Sequence, residues 1–218
     1  MKNELCQKLD FYRRQLPEDG VLVAVSKTKP AEMIRTAYEC GQRDFGENKV
    51  QELRDKYPVL PKDIRWHMIG HLQRNKVKYI APFIHLIHSV DNERLLAEIN
   101  KQAQKNERTL DVLFQIKIAR EETKFGLSIP DYEALLEKYL SGAYPYVRLR
   151  GLMGMATNTD DKEQVAREFG RLKQLFDQLK NRVPDIRRLS MGMSNDYDIA
   201  LREGSNMIRI GSAIFGAR

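Results

Sequence analysis

Two lysines follow a strongly apolar run near the start of the chain. The run Val21–Val25 contains three valines and is typical of a strand buried on both faces. Lys27 and Lys29 come directly after it, and ligands in α/β folds bind at the carboxyl ends of strands. Partial desolvation there favours the neutral amine, which can attack a carbonyl and form an imine. The alternative is that both lysines are solvated residues at the end of a strand.

Two segments late in the chain combine glycine with hydroxyl groups. Ser194 ends a Ser-Met-Gly-Met-Ser segment, and Gly211 and Ser212 follow the last apolar run. Backbone amides at a helix start and hydroxyl donors together bind an anion, so these segments predict a phosphate site. For Ser194 the alternative is a helix cap without a ligand. Arg209 either points towards the same site, where its charge needs a partner, or lies outside between helices.

An imine-forming lysine, an anion site and an arginine together indicate one class of ligand. The ligand should carry an aldehyde and a phosphate about a ring's width apart. Pyridoxal 5′-phosphate has this structure: Lys27 would take the aldehyde, and the two late segments would take the phosphate.

His67 and His71 are four residues apart, which is the spacing of a zinc site on a helix. Residues 65–69 have the character of a strand, however, and the neighbouring sequence offers no further cysteine or carboxylate ligand. We therefore expect no metal, and we expect His67 to pack or hydrogen-bond near a bound ligand. Asn48 and Ser89 also follow predicted strands and are either ligand contacts or turn and cap residues.

Strand-like and helix-like segments alternate after a first predicted helix over residues 3–16. We place the strands at residues 21–25, 44–46, 65–69, 84–90, 110–118, 147–152, 187–189 and 207–210. The alternation predicts an α/β fold, a single-domain (βα)8 barrel over residues 1–218 with an extra N-terminal helix. A doubly wound open sheet is the alternative, but it usually has a Gly-rich turn after its first strand, which is missing here. In the barrel all the candidate residues above open on the same face.

Helix starts are predicted from capping residues. Asp91 is the expected N-cap of a helix over residues 92–105. Asp160, with a glutamate three residues later, has the spacing of a capping box for a helix over residues 161–179. Ser194 is expected to cap the following helix.

The composition is that of an ordinary globular protein, with 42% hydrophobic and 31% charged residues among 218. The net charge of +7 comes from scattered basic residues without interleaved aromatics, so we expect no nucleic-acid partner but some attraction for phosphorylated small molecules. Cys6 and Cys40 are too few for a disulfide framework and fit a reducing compartment. Neither a signal peptide nor a membrane span is recognisable, so we expect a cytoplasmic monomer.

Seven motifs resemble those of the pyridoxal-phosphate homeostasis proteins, relatives of the alanine racemase barrel. The motifs, which match in order and spacing, are Val23-Ala-Val-Ser-Lys27-Thr-Lys-Pro30, Phe45-Gly-Glu-Asn48, Trp66-His-Met-Ile-Gly-His-Leu-Gln73, His88-Ser-Val-Asp91, Gly151-Leu-Met-Gly-Met155, Leu189-Ser-Met-Gly-Met-Ser194 and Arg209-Ile-Gly-Ser-Ala-Ile-Phe-Gly216. The resemblance implies these cofactor contacts: Lys27 as the Schiff-base lysine, Ser194, Gly211 and Ser212 at the phosphate, Arg209 at the pyridine nitrogen, and Asn48, His67, Ser89 and Met153 lining the cofactor.

The chain departs from the family pattern in three places. Ser212 stands where many relatives have threonine, which preserves the hydroxyl. The fifth loop, residues 119–126, offers Glu122 and keeps Lys124, but it has arginine and phenylalanine where small polar residues are common. The sequence also stops two residues after Gly216, where relatives usually carry a short basic tail. The roles of Lys29, Lys124 and such a tail stay open.

The resemblance implies a pyridoxal phosphate-binding protein that stores the cofactor or hands it to apo-enzymes. An arginine at the ring nitrogen keeps that nitrogen unprotonated and weakens the ring as an electron sink. Racemases with such a site take a second base from another domain, and we expect none here because only Ala217 and Arg218 follow Gly216. Two alternatives stay open. One is a racemase or lyase with Lys27 as its own base, and the other is a basic barrel that binds phosphorylated ligands or nucleic acid non-covalently.

Overall fold

The computed structural model describes residues 2–121 and 124–216 and forms a closed barrel of eight parallel strands. The strands are β1 (Val21–Val25), β2 (Asp44–Glu47), β3 (Arg65–Met68), β4 (Leu86–Val90), β5 (Leu110–Gln115), β6 (Val147–Met153), β7 (Arg188–Ser190) and β8 (Met207–Ile210). Each strand pairs with its neighbour in chain order, and β8 closes the barrel on β1. The predicted (βα)8 architecture is confirmed, and the alternative of an open sheet is wrong.

Helices follow the strands and surround the barrel. They are α1 (Lys2–Gln15), α2 (Ala31–Glu39), α3 (Val50–Lys56), α4 (Val77–Ile80), α5 (Glu93–Lys105), α6 (Ile129–Leu140), α7 (Lys162–Lys180), α8 (Tyr197–Arg202) and α9 (Ser212–Phe215). The extra N-terminal helix, α1, precedes the first strand, as predicted. In the described parts of the chain, no helix combines the length and the apolar character that crossing a membrane requires.

In two helices the N-cap and the first helical residue each lie one position later than predicted. Asn92, not Asp91, caps α5, and its side chain accepts the backbone N–H three residues on at 2.9 Å. Asp161, not Asp160, caps α7 in the same way. Each predicted cap has a second capping residue beside it, and the helix starts at the one that reaches the N–H group. Asp91 instead accepts a hydrogen bond from the imidazole of His71.

Side chains along the strands alternate between the barrel interior and the layer of helices. A small apolar cluster, separate from the main core, fills the interior: Val23, Leu86, Leu113, Met153 and Met207. The main core lies between the strands and the helices. Because Arg209 pairs in register with Val23, its side chain points into the barrel.

The two cysteines form a disulfide, which differs from the expected reduced thiols. Cys6 lies in α1, and Cys40 follows the last residue of α2. They are 34 residues apart in the chain, so no local pattern indicates their pairing. The bond ties the N-terminal helix to the barrel wall.

Reduction should therefore weaken the fold. Closing a loop of this length removes entropy from the unfolded chain, so we expect the free energy of unfolding to fall by about 2–4 kcal/mol when the bond is reduced. Urea unfolding with and without a thiol reductant measures this difference. The double variant with Cys6→Ser and Cys40→Ser is the control and should be insensitive to the reductant. Equal unfolding midpoints for the oxidised and reduced protein would show that the bond does not form.

Candidate cofactor site

Lys27 lies at the rim of the barrel, just past the end of β1. The backbone N–H of Ser26 donates to the carbonyl of Gly46 at 3.0 Å, so the sheet pairing continues one residue beyond the strand. Val23 points into the barrel, and Lys27 lies four residues further along the same alternation. The half-buried Lys27 is thus placed at the inner side of the rim.

A buried ionic cluster supports the loop from behind. Glu47 is fully buried, and its Oε1 accepts from the Ser26 hydroxyl at 2.6 Å and from Lys56 Nζ at 2.7 Å. Lys56 also donates to the Ser26 carbonyl and to Glu52, which in turn accepts the backbone N–H of Thr28. Burial raises the pKa of Glu47 to about 7, although the charge of Lys56 opposes this shift. The cluster fixes the two residues on either side of the candidate lysine.

The two predicted anion-binding segments meet at the same rim. The hydroxyl oxygens of Ser194 and Ser212 are 3.4 Å apart. Gly211 is the N-cap of α9 and lies against the end of β1, because a Cβ there would be 3.2 Å from the Cβ of Val25. Val25 precedes Lys27 by two residues. The loop after β8 therefore contacts the end of β1, and a side chain at position 211 would require the end of β1 to shift by a few tenths of an ångström.

Ser194 does not cap α8, so that prediction is wrong. The helix begins after Asp196, which is its N-cap residue. The Asp196 carboxylate turns back and accepts the backbone N–H of Met193 at 2.6 Å, which shapes the loop. Ser194 lies two residues before the N-cap position, and its hydroxyl faces Ser212 instead.

Arg209 is buried inside the barrel, with 4% of its surface exposed, and the alternative of a position outside between helices is wrong. Its Nη1 donates to Ser190 Oγ at 2.6 Å, and its Nη2 donates to the Gly154 carbonyl at 3.2 Å. Burial lowers the pKa of Arg209 to about 10, and the carboxylate of Asp196 opposes this shift. The guanidinium is thus still a cation at neutral pH.

Three other predicted contacts lie in or beside the barrel. Ser89 is fully buried in β4, and its hydroxyl has no hydrogen-bond partner in the described ranges. Met153 belongs to the interior apolar cluster. The backbone of Asn48 lies so close to Gly70 that a Cβ on that glycine would be 2.4 Å from the Asn48 carbonyl oxygen. The unpaired Ser89 hydroxyl is the polar atom here that a ligand would satisfy.

His67 is buried in the barrel interior, below the rim. Its Nε2 lies 3.0 Å from Asp44 Oδ1, and its Nδ1 is also hydrogen-bonded within the barrel. His71 is distant from this pair and stacks on Phe125 at 3.9 Å, so the two histidines do not form the considered zinc pair. The side chains of Asp44, His67 and His85 do gather at the barrel floor. We propose no metal there, because both ring nitrogens of His67 already take part in hydrogen bonds, to His88 and to Asp44.

The fifth loop contributes a second lysine near the site. Lys124 Nζ donates to the Ala156 carbonyl at 2.5 Å and pairs with Glu121 at 3.0 Å. Glu122 lies outside the described residues. Lys124 is therefore held by the loops after β5 and β6.

The chain matches the family model described as "Alanine racemase, N-terminal domain" over residues 3–218. A protein of Aquifex aeolicus named pyridoxal phosphate homeostasis protein is 42% identical over 199 residues, covering 90% of this chain and 86% of that protein. The Escherichia coli K12 protein of the same name is 40% identical over 209 residues, covering 93% and 87%.

Solved structures agree with these matches. PipY of Synechococcus elongatus without pyridoxal phosphate is 35% identical, with a TM-score of 0.91 over 97% of this chain and 100% of that chain. The PipY structure with pyridoxal phosphate bound is 34% identical, with a TM-score of 0.88 over the same shares. Alanine racemase of Bartonella henselae shares the fold alone, at 13% identity and a TM-score of 0.77 over 99% of this chain and 59% of that one. The chain therefore belongs to the family of the pyridoxal phosphate homeostasis proteins, which is built on the alanine racemase N-terminal domain.

Proposed function

We propose that this chain binds pyridoxal 5′-phosphate as a Schiff base on Lys27 and takes part in pyridoxal phosphate homeostasis by storing or delivering the cofactor. The observation that carries the proposal is the contact between two loops. Gly211 packs against Val25, so the segment with the anion-binding groups lies beside the segment with the candidate lysine. A related structure, PipY, contains pyridoxal phosphate.

The residues at the rim fit the two ends of this cofactor. The cofactor supplies an aldehyde that condenses with an amine, and a phosphate that accepts hydrogen bonds. The hydroxyls of Ser194 and Ser212 and the backbone at Gly211 are donors for the phosphate. We assign the remaining contacts as follows: Arg209 at the ring nitrogen, Ser89 through its unpaired hydroxyl, and Asn48 and Met153 along the ring. Both ring nitrogens of His67 are hydrogen-bonded inside the barrel. We therefore assign His67 to the support of Arg209, to which it is linked through His88 and Ser190.

We also propose that the bound cofactor does not convert amino acids. Arg209 is a cation inside the barrel, and a cation at the ring nitrogen keeps that nitrogen unprotonated. Without that proton the ring is a weaker electron sink. The alternative, a racemase or lyase that uses Lys27 as its base, predicts exchange of the α-proton of amino acids in heavy water. We expect no exchange above the rate of the free cofactor.

The test is a spectrum of the purified protein after incubation with pyridoxal phosphate, followed by borohydride reduction and peptide mapping. A near-visible band that borohydride removes, with the pyridoxyl group on the peptide that contains Lys27, is the expected result. Cofactor fixed on another peptide, or no fixed cofactor at all, would reject the assignment. Binding that disappears with salt and does not require the aldehyde would favour the non-covalent alternative.

Ser212→Ala should weaken the hold on the phosphate without removing the Schiff base. A hydrogen bond to a charged group contributes about 1.5–3 kcal/mol, so we expect the dissociation constant to rise at least tenfold. Equilibrium dialysis measures it, and Ser141→Ala is the control because that exposed hydroxyl contacts only a helix carbonyl. Equal affinities for both variants would place the phosphate elsewhere. Adding Ser194→Ala completes a double-mutant cycle for the pair.

The remaining proposals concern organisation and partners. We propose that residues 1–218 act as one cytoplasmic, monomeric domain that contacts apo-enzymes transiently. The large exposed hydrophobic side chains in the described ranges come from different parts of the sequence: Phe11, Val59, Tyr79, Phe125, Ile129, Leu140 and Met193. Sedimentation velocity should give a single monomeric species at micromolar concentration.

A further inference from the structure

A continuous row of hydrogen bonds crosses the barrel interior from Arg209 to the floor. The distances are 2.6 Å from Arg209 Nη1 to Ser190 Oγ, 3.0 Å from Ser190 Oγ to His88 Nδ1, 2.8 Å from His88 Nε2 to His67 Nδ1, and 3.0 Å from His67 Nε2 to Asp44 Oδ1. Every member has less than a tenth of its surface exposed. We call these five residues the interior chain.

The two ends of the interior chain fix the direction in which its hydrogens point. Arg209 can only donate. Burial works against the charge of Asp44, but hydrogen bonds from Arg65 and His67 hold the pKa of that carboxyl below its usual value. Asp44 is therefore a carboxylate that only accepts, and His67 must carry a hydrogen on Nε2.

Two arrangements of hydrogens are compatible with these ends. In the first, His67 is neutral, His88 donates from Nε2 to His67, and the Ser190 hydroxyl donates to His88 Nδ1. In the second, His67 carries one more proton and donates to His88, which then donates from Nδ1 to Ser190. The second arrangement leaves the buried Ser190 hydrogen without an acceptor, because its oxygen contacts only His88 and Arg209 among the described residues. The first satisfies every group.

Other charged groups around the interior chain do not reverse this arrangement of hydrogens. Burial keeps the pKa of His88 well below its usual value, and the charge of Arg209 acts in the same direction. At the floor, His85 lies with its ring 5.4 Å from that of His67, and burial lowers its pKa to about 4. Arg65 pairs with Asp44, and the Asp196 carboxylate faces the Arg209 end. His88 is thus neutral in both arrangements.

We propose that Ser190, His88 and His67 are positioning residues that lock the guanidinium of Arg209, with both histidines neutral and each carrying its hydrogen on Nε2. In this order each group donates towards Asp44, so the chain links the buried cation to a carboxylate across the barrel. The consequence for the cofactor rests on the proposed function: a guanidinium that cannot rotate keeps facing the ring nitrogen of bound pyridoxal phosphate. The arrangement itself does not depend on the cofactor.

The first test reads the histidines directly in the protein without added cofactor. The sequence has four histidines, so ¹⁵N spectra of histidine-labelled protein can be assigned with single substitutions. We expect His88 and His67 each to show a protonated Nε2 and an unprotonated Nδ1. A hydrogen on Nδ1 of His88 would overturn the proposal.

The second test removes the link to Arg209. In Ser190→Ala we expect the His88 Nδ1 signal to shift to that of a nitrogen without a hydrogen bond, and the Arg209 Nη signals to average through faster rotation. The dissociation constant for pyridoxal phosphate should rise roughly tenfold. Ser190→Thr keeps the hydroxyl and should restore all three. Ser205→Ala is the matched control, since that buried hydroxyl contacts only the carbonyls of Leu189, Met191 and Met207.

The outcomes separate the two proposals. Unchanged His88 and Arg209 signals in Ser190→Ala would reject the interior chain as a positioning device, whether or not the cofactor binds. Expected signals in a protein that never binds pyridoxal phosphate would confirm the interior chain and reject the proposed function. Changes of the same size in Ser205→Ala would mean that loosened packing, not the lost link, causes the effect, and would also overturn the inference.

Discussion

Lys27→Ala should abolish the covalent attachment of pyridoxal phosphate. Lys27 lies at the inner side of the rim, where the neighbouring loop brings Gly211 against the end of β1. Without its amine no Schiff base can form at this position. The near-visible band should be absent, and borohydride should leave no pyridoxyl group on the peptide. The proposed phosphate contacts, Ser194, Gly211 and Ser212, are unchanged in this variant, so we expect weaker, reversible binding to remain, measurable by dialysis.

Lys29→Ala is the matched control for this experiment. Regular strand spacing would place both lysines on one side, but Thr28 between them has a φ of 65°, so the strand alternation ends at Lys27. Lys29 Nζ donates to the Gly216 carbonyl at the end of α9, at 3.1 Å. This variant should keep the absorbance band. If it loses the band while Lys27→Ala keeps it, the Schiff base belongs to Lys29.

The barrel could be predicted because strand-like and helix-like segments alternate along the chain, and some of the strands are clear apolar runs. The runs of β1 and β8 are bounded sharply by polar residues, and their predicted limits agree with the structure. Helix starts were less certain where two capping residues adjoin, as at Asp91 and Asn92. Both residues are favourable N-caps, so residue type alone cannot decide which of the two side chains reaches a free backbone N–H group and caps the helix.

The rim and the interior of the site differ in how far the sequence could predict them. The rim could be predicted because parallel strands bring all their following loops to one face. The interior chain could not, since it joins residues such as His88 and Ser190, which are 102 positions apart. The Glu47–Lys56 pair escaped prediction for another reason: it joins a strand to the last residue of its own following helix, where the sequence pattern indicates a solvated lysine. Such pairs become visible only when the register is known.

Lys56→Met should destabilise the fold strongly. Lys56 is the cation that faces the buried carboxylate of Glu47, and its Nζ also donates to the Ser26 carbonyl. Removing one partner of a buried ion pair leaves an uncompensated charge, so we expect a loss of about 3–5 kcal/mol in the free energy of unfolding. Urea unfolding measures it. Lys8→Met is the control, because Lys8 forms an exposed pair with Glu4 and should change stability by less than about 1 kcal/mol.

The size of this loss should depend on pH through Glu47. Burial raises the pKa of Glu47 from 4.5 to about 7, so the folded state holds this proton more tightly than the unfolded state. The protonation of Glu47 therefore contributes fully to the free energy of unfolding at a pH below the pKa of this group in the unfolded chain. The contribution is lost as the pH rises through its pKa in the folded protein. Without the opposing charge of Lys56, the pKa of Glu47 rises further, and Lys56→Met should be more costly near pH 8 than near pH 5. A double variant with Glu47→Gln removes the charge and should recover much of the loss. If the loss in Lys56→Met is the same at both pH values and Glu47→Gln does not reduce it, the carboxylate behind the Lys27 loop is not what Lys56 stabilises.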